Sequence, residues 1–251
     1  NIPPRKYIFY QIEQNTSAYF TEKYLKLMND SIKIFDFSKC NNIYYKNVDL
    51  KKVFITPFPL TKFIEYSDPE YDILFYGELN IRRKKIIEYL EDEFNFIYIK
   101  NLFGEEKIDN IKKLKILLNL HYYKNACLET CRINEVISCN KLVVSEEPNK
   151  SDIYNRNLYN KCVIYFDEIN ENLNNINILV DKLNFSLHNY DKLKKEMDVN
   201  KIYKITNNIL DENINNEITN NIDDSYISKS NVYEYILISN PKKWIFEKYE
   251  E

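Results

Sequence analysis

Between residues 70 and 166 the chain alternates short apolar runs with longer stretches of helical periodicity, and this alternation constrains the fold more than any other feature of the sequence. The runs at 73–76, 96–99, 115–120, 142–145 and 163–166 have strand length and are apolar along nearly their whole course, so both of their faces must be covered. Helical segments separate them. Asn80 caps a helix that turns Ile86, Ile87 and Leu90 inward, a second helix runs near 105–114, and Asn125 caps a third over 126–138. Strands of this kind, joined by helical connections of about ten or more residues, pair in parallel through right-handed crossovers. The result expected is a doubly wound α/β domain.

The same pattern opens the chain. Residues 7–11, 32–37 and 53–56 read as strands, and Thr16 or Ser17 caps a helix carrying Phe20, Tyr24 and Leu27. Phe58 lies between Pro57 and Pro59 and can continue neither a central strand nor a helix, so 57–69 is read as a linker. The organisation expected is a short N-terminal α/β lobe over 1–66 and a Rossmann-like domain over 67–251 that ends in closing helices. From residue 167 onward only helices are expected. Ile169, Leu173, Ile176, Val180 and Leu183 form one apolar stripe, and a further helix begins near Ser186. The Asn-rich stretch 207–224 reads as a loop or weak helix, and Asn240 with Pro241 opens a terminal helix bearing Trp244 and Phe246.

Bulk properties exclude several classes. At 251 residues and 44% hydrophobic content the chain can bury a core, and its longest apolar runs fall far short of the roughly 20 residues that span a bilayer. A net charge of −3 gives no general attraction for nucleic acid or anionic membrane, so any anion site must be local. Cys40, Cys127, Cys131, Cys139 and Cys162 are odd in number, and only His121 and His188 are available to join them. A metal site is therefore disfavoured, and reduced, mostly buried thiols in a cytoplasmic protein are expected. G-x-G-x-x-G, Walker, G-x-S-x-G and H-E-x-x-H motifs are all absent from the sequence.

Ligands of open α/β sheets bind outside the carboxyl ends of the strands, and four sequence features fall on that edge. In the first, Gly77 follows a strand and Arg82, Arg83 and Lys84 open the next helix. Cations there oppose the helix dipole, so a compensating anion such as phosphate is expected; a solvated basic face is the alternative. In the second, His121 and Tyr122 leave a buried strand, placed to hydrogen-bond a sugar or phosphate oxygen and to stack on a base, or to serve structure alone. In the third, Glu129, Arg132 and Glu135 share one helical arc, either as intrahelical ion pairs or as a carboxylate for ribose hydroxyls beside an arginine for a diphosphate. The fourth is Glu146 with Glu147 at the end of the next strand, placed to read hydroxyls of a polar ligand or simply solvated.

The segments YIFYQIEQ, YFTEKYLKLMNDSIKIFDFSKCN, YDILFYGELNIRRKKII, ILLNLHYYKNACLETCRINEVISCNKLVVSEE and VIYF together resemble GT-B-type glycosyltransferase-like proteins of giant DNA viruses and some microbes, over residues 7–166. The resemblance implies two Rossmann-like lobes; the chain departs from it in the first, where the region before the linker offers only about three strands, half of a usual acceptor domain. The resemblance also implies transfer of a sugar from a nucleotide-sugar donor to a hydroxyl of a glycan or protein, with Gly77, Arg82 and Arg83 near the diphosphate, Glu135 near the ribose and Arg132 beside them. Tyr122 and Glu146 complete the expected donor side, and Glu13 and His121 are the candidate catalytic groups. Many retaining enzymes of this type carry two glutamates separated by seven residues; here Glu129 and Glu135 are separated by five. No cofactor beyond the donor is implied, and a divalent metal is allowed but not indicated. The rival expectations are a noncatalytic module of the same fold that binds a sugar nucleotide or a protein, and a purely structural protein.

Overall fold

The computed structural model describes residues 7–14, 17, 20–58, 60, 68–221 and 236–238. The chain forms two compact units, residues 1–56 with 213–251, and residues 57–212.

In the first unit, strand β1 (Ile8–Gln11) leads into helix α1 (Glu22–Asp30), then β2 (Lys33–Asp36) and β3 (Val53–Ile55). Thr21, rather than Thr16 or Ser17, caps α1, its side chain accepting the N–H of Tyr24. All pairings in this sheet are parallel, in the order β3-β2-β1-β9, where β9 is Ile236–Ile238. Phe9, Tyr24, Met28 and Ile34 make its core. The strand from the chain's far end corrects the expectation of helix only beyond residue 167. The apolar run that holds it, Tyr235 to Ile238, has the length and composition of a strand.

The second unit runs β4 (Tyr71–Tyr76), α2 (Ile81–Glu93), β5 (Phe96–Ile99), α3 (Gly104–Lys113), β6 (Leu114–Asn119), α4 (Thr130–Ser138), β7 (Leu142–Glu146), α5 (Ile153–Leu158) and β8 (Val163–Phe166). After β8 come α6 (Ile176–His188), α7 (Tyr190–Glu196) and α8 (Val199–Asn221). Its five strands are parallel in the order β5-β4-β6-β7-β8. One face is covered by Ile86, Ile87 and Leu90 of α2 with Leu179 and Leu183 of α6. Ile111, Ile133, Val136, Val199 and Ile202 from α3, α4 and α8 cover the other. The sheet is doubly wound, as the uninterrupted apolar strands require.

Two local expectations change and a third is decided. Helix α4 starts at Thr130, not at 126, because the segment before it has other hydrogen-bond partners. Asn149 donates its N–H to the Ala126 carbonyl at 2.8 Å, and Asp152 accepts the N–H of Leu128 at 2.8 Å. The stripe from Ile169 does not begin a helix, since Leu173 and Asn175 hold φ of 58° and 68° and α6 starts at Ile176. Of the loop or weak helix expected from 207, the stretch to 221 is helix, the continuation of α8, in which Val199, Ile202, Thr206 and Leu210 recur at helical spacing on a buried stripe. The terminal helix with Trp244 and Phe246 lies outside the described residues.

Cys131 is an exposed free thiol and Cys139 and Cys162 are buried ones, so the expectation of reduced cysteines holds for these three. Among the described residues no helix is long and apolar enough to cross a membrane.

Candidate functional site

The strand order of the second unit reverses between β4 and β6: the chain moves outward from β4 to β5, then returns to lay β6 on the other side of β4. Loops leaving the carboxyl ends of two such strands diverge to opposite faces and leave a crevice, the usual ligand position in sheets of this kind. Gly77 follows β4, and Asn119 to Tyr122 end and follow β6, so both lie at this crevice.

Gly77 adopts φ +127°, a conformation that L side chains rarely take, and a methyl group there would sit 3.3 Å from Arg132 Nη2 and 3.9 Å from Arg83 Nη1. The glycine therefore brings two guanidinium groups against bare backbone. Arg83, 2% exposed, leaves the first turn of α2, where Asn80 accepts its N–H at 2.8 Å. Its guanidinium donates to the carbonyls of Glu78, at 2.8 Å, and Leu120, and lies 5.2 Å from the ring centres of both Phe75 and Tyr122. Arg132, on α4, donates to Asn119 Oδ1 at 3.2 Å and rests 4.8 Å over the ring of Tyr76. The Glu129 carboxylate bridges the two arginines, 3.1 Å from Arg132 Nη2 and 3.7 Å from Arg83 Nη2.

The electrostatics follow from this packing. Burial lowers the Arg83 pKa to about 10, with Glu129 partly restoring it. Burial works to raise the Glu129 pKa, but Arg132, Arg83 and His121 outweigh it and hold the carboxylate below its ordinary value. His121 is 3% exposed and burial lowers its pKa, which keeps the imidazole neutral at neutral pH. Its Nε2, the Arg83 Nε and the Thr130 hydroxyl are buried without a hydrogen-bond partner. Buried polar atoms are normally paired, so the orphan nitrogens of Arg83, beside Gly77, and of His121, which follows β6, mark a place where a polar ligand can complete the bonding.

The residues singled out by sequence fall in four places. Gly77, Arg83 and Arg132 come together, with Tyr122 against Arg83 and 37% exposed. Arg82, His121 and Glu146 form a second group, in which Arg82 and Glu146 are bonded to each other through both carboxylate oxygens. Glu135 stands one turn along α4, paired with Lys107 and 3.3 Å from the Tyr76 hydroxyl. Glu13 belongs to the first unit, where its carboxylate accepts from Ser17 at 3.2 Å and burial raises its pKa. Two participants escaped the sequence reading. Asn119 is wholly buried between Arg132 and Ser145, and a polar residue closing an apolar strand was the available signal. The bridge from Glu129 to Arg83 spans 46 positions, and no local pattern reveals it.

No protein-family model and no curated protein sequence matches the chain. Solved structures do. A mutant of Staphylococcus aureus TarM, in complex with fondaparinux, alpha-GlcNAc-glycerol and UDP, aligns with TM-score 0.51 and 14% identity over 82% of this chain and 50% of that one. A glycosyltransferase from Rickettsia africae aligns with TM-score 0.49 and 12% identity over 83% and 69%. Anabaena HepE in complex with UDP and glucose aligns with TM-score 0.47 and 10% identity over 81% and 71%. This chain thus spans about half the length of TarM. At this identity the likeness shows the fold: α/β with parallel sheets, as the GT-B resemblance implies.

Proposed function

We propose that the second unit binds the diphosphate of a nucleotide-sugar donor at the Gly77 turn, and that the chain transfers the sugar to a hydroxyl of a glycan or protein. The observation that carries the reading is the pair of guanidinium groups, Arg83 and Arg132, packed where a side chain at Gly77 would be. Fixed guanidinium donors in a partly dry site are suited to phosphate oxygens, and they oppose the negative charge that grows on a departing diphosphate. The shared fold with TarM, whose structure contains UDP, agrees with this.

In this reading Tyr122 offers a half-open ring to the base, Glu135 the ribose contact, and neutral His121 a hydrogen bond to the sugar or a phosphate oxygen. The Glu13 carboxyl, with a pKa raised by burial, is the group proposed to take the proton of the acceptor hydroxyl. Calorimetric titration with a panel of nucleoside diphosphates is the test. Binding of one of them, weakened at least about tenfold by Arg132→Ala, or about 1.4 kcal/mol, supports the reading. Absence of binding across the panel up to millimolar concentration overturns it. Binding without consumption of any sugar nucleotide would leave a noncatalytic module.

A further inference from the structure

The ion pair between Arg82 and Glu146 is bonded so that both terminal nitrogens of the guanidinium and both carboxylate oxygens are occupied within the protein. The two side chains are 7% and 0% exposed. Arg82 Nη2 donates to Glu146 Oε2 at 3.0 Å and Nη1 donates to Oε1. The other bonds of these terminal nitrogens and carboxylate oxygens go to two peptide groups. His121 donates its N–H to Glu146 Oε2 at 2.6 Å, and its carbonyl accepts from Arg82 Nη2. Ile169 repeats the arrangement, its N–H 3.4 Å from Glu146 Oε1 and its carbonyl accepting from Arg82 Nη1 at 3.0 Å. The loops that follow β6 and β8 are thereby held at one residue each, by both backbone polar atoms.

Buried ion pairs bring little net stability compared with apolar residues of the same size, so the use of this one lies in what it fixes. One of the two residues it fixes carries an imidazole. The ring of His121 interacts electrostatically with Glu146 and Arg82 themselves and also with Glu129 and Arg83, the charged groups beside Gly77, and its Nε2 has no partner. The preceding carbonyl, that of Leu120, is taken by Arg83. The backbone of 120–121 is thus pinned from three sides, which restricts the orientations open to the ring.

We infer that Arg82 and Glu146 are positioning residues for His121: they hold its peptide group so that the imidazole meets the ligand at the Gly77 turn, and they do not touch that ligand themselves. The inference rests on the diphosphate reading of that turn and adds His121 as the group the pair acts through.

A double-mutant cycle tests it, with UDP as the probe. Glu146→Gln and His121→Gln are each expected to weaken UDP binding about 3- to 10-fold, the worth of one hydrogen bond. Combined, they should weaken it by no more than about twofold beyond His121→Gln alone, because residues acting through one another do not add. Losses that multiply would mean that Glu146 reaches the ligand independently, and unchanged affinity in Glu146→Gln would mean that the pair positions nothing; either overturns the inference. Arg82→Lys keeps the charge and loses the two-pronged geometry, and it serves as the second variant should Glu146→Gln not fold. A further readout needs no ligand, since the chain has only two histidines. In imidazole nitrogen–proton correlation spectra, Arg82→Lys, which keeps both charges beside the ring, should change the tautomer ratio of His121 and leave that of exposed His188 unchanged. Identical His121 spectra would overturn the inference. If the wild type binds no nucleoside diphosphate, the diphosphate reading falls, and these spectra still decide whether the pair sets the ring.

Discussion

Replacing Gly77 with alanine should do two separable kinds of damage. The first is to the fold. A residue at φ +127° with a Cβ is strained by about 1–3 kcal/mol. The new methyl also meets Arg132 Nη2 at 3.3 Å, inside the usual contact distance of about 3.5–4.0 Å. Arg132 cannot simply swing aside, because Asn119 and Glu129 hold its two ends at 3.2 and 3.1 Å and the Tyr76 ring lies beneath it. Giving up one of those charge-assisted bonds adds about 1.5 kcal/mol or more. The second kind of damage is to binding. The methyl occupies the space between the guanidiniums, so UDP affinity should fall at least about tenfold. Urea unfolding reads the first effect and calorimetry the second. The control is Gly104→Ala: φ there is +59° and nothing lies within 4 Å of the added methyl, so about 1–2 kcal/mol of strain is expected and no change in UDP affinity. A Gly77→Ala protein that unfolds at the wild-type urea concentration, or that binds UDP as tightly as a binding-competent wild type, would refute the reasoning.

Removing the charge of Glu129 by Glu129→Gln leaves Arg83 and Arg132 without their shared counter-ion; stability should fall by about 1–3 kcal/mol, and inorganic phosphate should raise the melting temperature of the variant more than that of the wild type. Equal phosphate shifts in the two proteins would contradict this. Acid should destabilise the protein before ordinary carboxylates titrate. The folded-state pKa of His121 is lowered from 6.5, so the unfolded chain binds the proton first, and the stability present above 6.5 is lost as pH falls toward the folded value. Glu129, also lowered, acts with the same sign at lower pH. Between about pH 7 and 5 the urea midpoint should therefore drop, and His121→Gln should flatten the early part of that drop; a midpoint that rises on acidification is the contrary result. Asn80→Ala removes both the cap on Arg83 N–H and the 2.9 Å bond to the Tyr122 carbonyl, at a cost of about 1 kcal/mol in unfolding free energy, and an unchanged urea midpoint would count against that cap.

The features legible in the sequence were those with local physical causes. Strands β1 to β8 announce themselves as apolar runs, and α2 by an asparagine at its cap and three apolar residues on one face. Asn125 looks like the cap of a longer α4, whereas Asn149 and Asp152, more than twenty positions away, take the backbone groups that the extra turn would have used. In α8 the Asn-rich composition left loop and weak helix open, and the buried stripe of four residues decides it. The site behaved alike. Gly77, Arg83 and Arg132 were each visible as residue types at strand exits and helix starts, but their convergence depends on the reversal of strand order, and no periodicity encodes that reversal.

Cations in the first turn of a helix oppose its dipole and call for an anion. For Arg82 that anion is Glu146, 64 positions further on and fully buried, so this pair is neutral within itself. Lys107 and Glu135 are likewise neutral together. Arg83 and Arg132 share one carboxylate, that of Glu129, and this leaves the Gly77 turn one positive charge in excess. Glu129 and Arg132 are each 17% exposed, so this surplus, unlike the Arg82 charge, faces a route that an anion can take. A diphosphate arriving there meets two guanidiniums that are already oriented and a carboxylate that must share them. Discrimination should therefore favour ligands carrying more than one negative charge: a nucleoside monophosphate or a diphosphate can outbid Glu129, and an uncharged nucleoside cannot. Uridine, UMP and UDP titrated in parallel should show affinity rising in that order, and a protein that binds uridine as tightly as UDP would be using the crevice for the base and not for the charge.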